Sequence, residues 1–218
     1  FNVLFSLLKG ICTFLSSIIL ANSLGIESFG YLMFLFAIFG GLISFLDAGT
    51  SSAYFTLISE KIYSKKIYFN FFIFLLVTLL IVTLILNLLP EKLLFSFFNS
   101  NEKFVITLAF IAIFFRSHFW SIIIKTYESQ KKSNIINFIN FLSFFIFLII
   151  VIFFSVNDIL NIGNILLVII FEFSLLSLLT FYFFPIETNN EKPNEQIKYF
   201  FVCITTQLLP INHLNIFI

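Results

Sequence analysis

Six stretches of Phe, Leu and Ile, each about 20 residues or longer, recur along this chain and dictate what it can fold into. They fall at approximately residues 1–20, 31–58, 67–89, 104–124, 135–155 and 159–184, and a seventh begins near residue 199. The runs are continuous and do not alternate, so helices that satisfy their own backbone hydrogen bonds are expected, and outer-membrane strands are not. With 60% hydrophobic and 11% charged residues, a water-soluble globule is excluded. The sequence therefore predicts an all-α integral membrane protein: a six-helix transmembrane bundle over residues 1–184, a linker over 185–198 and the start of a seventh transmembrane helix over 199–218. Residue 1 is a Phe inside an apolar run, without the basic flank of a signal peptide, and the last run stops without a polar flank. The expectation is a piece of a longer, transporter-sized protein.

Lysine placement sets the expected orientation. The connections after the second, fourth and sixth runs hold Lys61, Lys65, Lys66, Lys125, Lys131, Lys132, Lys192 and Lys198, whereas the opposite connections hold only Lys92 and Lys103. Basic loops stay inside, so the amino terminus is expected to be cytoplasmic. Between the third and fourth runs, EKLLFSFFNSNEK is too short to cross the membrane and apolar enough to lie in the outer interface as a short amphipathic helix. The near balance of 12 basic and 11 acidic residues gives no general attraction to nucleic acid.

Lys9, Asp47, Arg116 and Glu172 fall near the middle of four different runs. Each charge at a bilayer centre costs roughly 2.5 to 3.5 kcal/mol, so an internal polar pathway is the default reading. In the first run Asn2, Ser6, Lys9, Thr13 and Ser16 recur at helical steps and line one face; in the second, Gly40, Ser44, Asp47 and Ser51 do the same. Hydroxyls that only bond back to their own helix are the plainer account of such stripes. Arg116 lies too deep to reach the interface, Trp120 shares its face, and His118 lies on another face, where a packing role is the simpler reading. Asn164 lies two turns before Glu172 on about the same face. Two readings of the four charges stand side by side. In one, Lys9 pairs with Asp47 and Arg116 with Glu172, as ion pairs that fix helix register. In the other, the cations seat an anionic head group and the carboxylates bind a coupling cation or proton. Cys12 and Cys203 are expected to be buried thiols without a role. No nucleophile with an adjacent base, glycine-rich phosphate loop or metal-ligand spacing occurs, so neither enzymatic chemistry nor a cofactor is expected.

The segment LGIESFGY followed by LDAGTSSA resembles the start of bacterial polysaccharide repeat-unit flippases of the Wzx type. Leu24, Gly25, Phe29, Gly30, Asp47 and Gly49 carry the resemblance, which extends to the linker KTYESQKKSNIINFINF and to the general hydropathy up to about residue 184. That family belongs to the multidrug, oligosaccharidyl-lipid and polysaccharide exporter superfamily. The resemblance implies one lobe of a two-lobe exporter in the bacterial inner membrane, working by alternating access on an undecaprenyl-diphosphate-linked oligosaccharide. It also implies membrane lipids, a glycan polymerase and glycosyltransferases as partners. On this view Lys9 and Arg116 contact the diphosphate, Ser44 and Ser51 join them as contacts for diphosphate or glycan, and Asp47 and Glu172 couple transport to an ion. Apart from Asp47, these roles rest on depth and helix face and not on matched motif positions. The alternatives are a drug or metabolite exporter of the same superfamily, a membrane enzyme of surface-glycan assembly, and an inactive truncated copy. The outer connections are short and lack His, Arg and Cys, which disfavours the enzyme.

Overall fold

The computed structural model of the chain describes residues 2–47, 49–59, 65–100 and 102–183. Residues 185–198, the seventh run, and with them Lys192, Lys198 and Cys203, lie outside the described residues, as does Lys61. The described chain forms α1 (Asn2–Leu24), α2 (Ile26–Asp47), α3 (Thr50–Ser59), α4 (Lys65–Leu88), α5 (Glu91–Phe98), α6 (Lys103–Ile113), α7 (Trp120–Ser129), α8 (Ser133–Val156) and α9 (Ile162–Phe183). A π-helical segment, Phe114–Phe119, joins α6 to α7 and makes them one continuous span. Six helical spans are long and apolar enough to cross a membrane, and the fold is an all-α bundle; the protein is a multi-pass membrane protein. Large side chains such as Phe45, Leu80 and Phe171, 79, 66 and 68% exposed, project from the bundle as apolar surface suited to a lipid environment.

Single residues decide where the helices break. Gly25 adopts φ 78°, a left-handed conformation that a side chain disfavours, and turns α1 into α2 with no further linker. Gly49, at φ 85°, does the same between α2 and α3. The run expected as one span over 31–58 is therefore two helices, of which only Ile26–Asp47 is a membrane-crossing span. Pro90 supplies the carbonyl that accepts the N–H groups of Leu93 and Leu94 and so opens α5. At the other end the Asn99 N–H closes α5 on the Phe95 carbonyl with φ 51°. Helix α5 is amphipathic as the sequence predicts: Leu94 and Phe98, one turn apart, are buried, whereas Leu93, Phe95 and Phe97 point away from the bundle.

The α6–π–α7 span is the centre of the bundle. Two thirds of its most apolar window, 67%, is buried, against 17 to 33% for the other five spans. Helices α2, α4 and α9 pack on α6, while α3, α8 and α9 pack on α7. Helix α1 packs most extensively on α8 and also touches α2, which completes a ring around one side of the central span. At one end Phe39 of α2 is fully buried between Phe98 of α5 and Phe110 of α6, each ring centroid 5.5 Å away. At the other, Tyr54 of α3 stacks on Phe71 of α4 at 4.4 Å and its hydroxyl meets Thr126 Oγ1 of α7 at 3.1 Å. Tyr127 donates to the Thr180 carbonyl of α9 at 2.9 Å.

Because Phe39 locks three helices through two ring contacts, Phe39→Ala leaves a cavity that the bundle cannot close. A loss of about 3 to 5 kcal/mol is expected in reversible unfolding in mixed micelles, against less than about 1 kcal/mol for Phe45→Ala, whose side chain faces outward.

Candidate functional site

Helix α1 touches α2 and α8 and stands off from the central span, and the gap between them is a cleft of about 390 Å³. Lys9 from α1 and Arg116 from the π segment both line it, so the structure brings together two cations that are more than a hundred residues apart in sequence. Both lean on one ring: Lys9 Nζ lies 4.9 Å and Arg116 Cζ 5.2 Å from the centroid of Phe144. The charges are therefore no more than about 10 Å apart, roughly one Debye length at 0.1 M salt. Phe36 and Phe147 also face the guanidinium, each at 5.9 Å. Cation–π contacts of this kind are worth about 0.5 to 2 kcal/mol each and offset part of the cost of holding the charges away from water.

Among the described residues, the remaining polar lining consists of Ser117, Ser121 and Asn140, and no carboxylate borders the cleft. Trp120 Nε1 donates to Asn140 Oδ1 at 3.1 Å, which occupies the carbonyl side of that amide and leaves its N–H groups without a protein acceptor among the described residues. Gly40 forms part of the wall, and a methyl group placed on it would meet nothing within 4 Å. Two cations and an amide donor facing an open, carboxylate-free volume form an arrangement chemically suited to an anion.

The π segment positions Arg116. In it the Trp120 N–H reaches back five residues to the Phe115 carbonyl, and Ser117 Oγ takes the Ile113 carbonyl at 2.6 Å, competing with the regular ladder. Arg116 and Trp120 share the cleft face, as their spacing predicts, while His118 is buried with its ring edge-on to Phe114 at 5.3 Å.

Neither carboxylate reaches this cleft. Asp47 Oδ1 accepts from the Ser51 N–H at 2.9 Å, Ser51 Oγ at 2.6 Å and Thr50 Oγ1 at 2.8 Å, which caps the first turn of α3. Ser51 is committed to that cap, and Ser44 bonds to the Gly40 carbonyl of its own helix at 2.9 Å; neither lines the cleft. In α1, Thr13 and Ser16 likewise bond back to the carbonyls of Lys9 and Cys12, and Cys12 is buried as expected. Glu172 is 6% exposed; its Oε1 accepts from Ser143 at 3.0 Å and its Oε2 is buried without a partner. Among the described residues, Lys9 and Asp47 form no ion pair within 4.0 Å, and neither do Arg116 and Glu172. Register here is held by capping and packing and not by those pairs.

Phe36, Ser117, Ser121, Asn140, Ser143 and Phe144 are among the site residues that the sequence did not single out. Asn140 and Ser143 are three residues apart and both buried, and the helical spacing used for the first two spans would have found them on α8. The fold and cleft together define a multi-pass helical membrane protein with an internal cationic cleft. No protein-family model, curated protein or solved structure matches the chain.

The cap makes Asp47 a stability residue. Asp47→Ala is expected to cost about 1 to 2 kcal/mol in micellar unfolding, and Asp47→Asn, which keeps an acceptor oxygen, less than half of that. Equal losses would mean that the charge and not the cap stabilises α3.

Proposed function

We propose that this chain is one lobe of an exporter that moves an undecaprenyl-diphosphate-linked oligosaccharide across the bacterial inner membrane by alternating access, with its amino terminus cytoplasmic. The observation that carries the reading is the cleft in which Lys9 and Arg116 converge without a carboxylate. A lipid diphosphate presents concentrated negative charge next to an apolar tail, and the cleft has matching parts. Arg116 can donate two parallel N–H bonds to one phosphate, and Lys9 supplies a compact charge for the other. The apolar walls from Phe36, Ile113, Ile124 and Phe144 suit the first isoprene units. The resemblance of the Leu24 to Ala53 region to polysaccharide repeat-unit flippases supports the same substrate class.

Coupling to an ion gradient needs a group whose protonation differs between the two access states. Of the two carboxylates expected in that role, Glu172 retains an unpartnered oxygen in the membrane interior, whereas one oxygen of Asp47 already takes three donors. Glu172 is the better seat for a proton. No step of this transport breaks or makes a covalent bond.

The test is binding and translocation of a fluorescent polyprenyl-diphosphate saccharide by the full chain in lipid vesicles. Lys9→Gln and Arg116→Gln are each expected to weaken binding about tenfold or more, and Arg116→Lys less than Arg116→Gln. Gly40→Leu fills the open wall without touching a charge and is expected to block binding as well. Equal affinity for the diphosphate lipid and for its uncharged alcohol would overturn the proposal.

A further inference from the structure

On the other side of Glu172, helices α8 and α9 enclose a groove of about 550 Å³ that is separate from the cationic cleft. Its walls are apolar, and Leu142, Ile146, Leu167, Phe171, Leu175 and Leu179 are all 38% exposed or more, so the groove opens along the membrane-facing surface. Among the described residues, the polar side chains lining it are Asn164 and Glu172. Glu172 is more than nine-tenths buried, yet its Oε2 has no hydrogen-bond partner. A carboxylate oxygen in such a place lacks a donor, and the cost of leaving it so is among the largest available to a single polar atom.

The geometry narrows what can supply the donor. Glu172 is the eleventh of the 22 residues of α9, which places it about 15 Å from either end of the helix. The ammonium of a phospholipid is tethered to a phosphate that holds it at the headgroup level, whereas a free amine can descend uncharged and take its proton from the Glu172 carboxyl group. A metal ion would need several oxygen ligands around one point, but Asn164 and Glu172 are eight residues apart, about 12 Å along the helix, and no cluster of three metal-ligating side chains occurs among the described residues. Arg116 lines the cleft on the opposite side and does not pair with Glu172.

We propose that the α8/α9 groove is a second binding site, for a membrane-dissolved amine: an ammonium group on an apolar body that donates an N–H to Glu172 Oε2. The body lies against the Leu, Ile and Phe walls, and the groove volume falls within the usual range for a small-molecule site. Entry is lateral, from the bilayer. The groove shares no wall with the anion cleft, although its Glu172 is also the proposed proton seat, and the site stands whether or not the diphosphate reading does.

The experiment uses the full chain in lipid nanodiscs with dodecylamine carrying a dansylamino group on its far carbon, so that the amine stays free, at neutral pH, read by its emission shift against empty nanodiscs. Saturable binding is expected, weakened about tenfold or more by Glu172→Gln and by a smaller factor by Ser143→Ala. The trimethylammonium analogue has the charge but no N–H and is expected to bind about tenfold more weakly than the amine. Lys9→Gln is expected to leave amine affinity within about twofold while removing diphosphate-lipid binding, which separates the two sites. Uptake no greater than that of empty nanodiscs, or equal affinity in Glu172→Gln, overturns the proposal. Should Glu172→Gln not fold, dicyclohexylcarbodiimide labelling of the unsubstituted chain decides: it adds to a carboxylic acid and rearranges to an N-acylurea without a leaving group. Protection of Glu172 from labelling by the amine supports the site, and labelling that the amine leaves unchanged identifies a proton site only and overturns it.

Discussion

A helix that carries an arginine at mid-depth can enter a bilayer only if its neighbours take it out of contact with lipid, and the arrangement of this bundle follows from that demand. The α6–π–α7 span is the one most enclosed, and α2, α3, α4, α8 and α9 all pack against it. Its own apolar residues supply roughly 4 to 8 kcal/mol of insertion free energy against about 3 for the arginine, so the span inserts, and packing then leaves Arg116 half-buried at the wall of the cleft. The other five spans bury a third or less of their apolar windows and meet lipid on their remaining faces. Helix α1, excluded from the centre, leaves the gap that becomes the cleft.

Charge is sorted across the bundle as a result. The two cations share one cleft and one phenyl ring, while one carboxylate caps a helix and the other lies behind Ser143 in an apolar groove. Close pairing of opposite charges would lower the electrostatic energy of the empty protein; here Asp47 is used by a cap, while the two cations and Glu172 Oε2 are left without a close ionic partner among the described residues. Three aromatic faces lie against Arg116 at 5.2 to 5.9 Å and add to the more distant attraction of Glu172.

The spans, the short amphipathic helix α5 and the common face of Arg116 and Trp120 were legible because they depend on length, composition and helical period, which a single sequence contains. So was the shared face of Asn164 and Glu172, both of which line the α8/α9 groove. The break at Gly49 was not, since the apolar pattern continues through it; what stops the helix is a left-handed glycine combined with the Asp47 cap, and both were present in the letters DAGTS. The centrality of one span was equally hidden. Runs that face lipid and runs that face protein are both apolar, and only packing distinguishes them. Which charges pair was left open by the sequence for a related reason: opposite sign and similar depth do not fix which helices are neighbours.

The π segment also sets the phase between the two ends of the central span. Each residue added to or removed from an α-helix rotates everything beyond it by about 100°. Above Phe114–Phe119 the span packs Phe110 against Phe39; below it, Thr126 meets Tyr54 and Tyr127 meets Thr180. A regular α-helix with the same sequence could satisfy one set of these partners, but the other would be turned away from α3 and α9. The widened turn thus acts as a phase shifter, letting one rigid rod mesh with two groups of neighbours whose registers do not agree, and it puts the arginine at the point where the two registers meet.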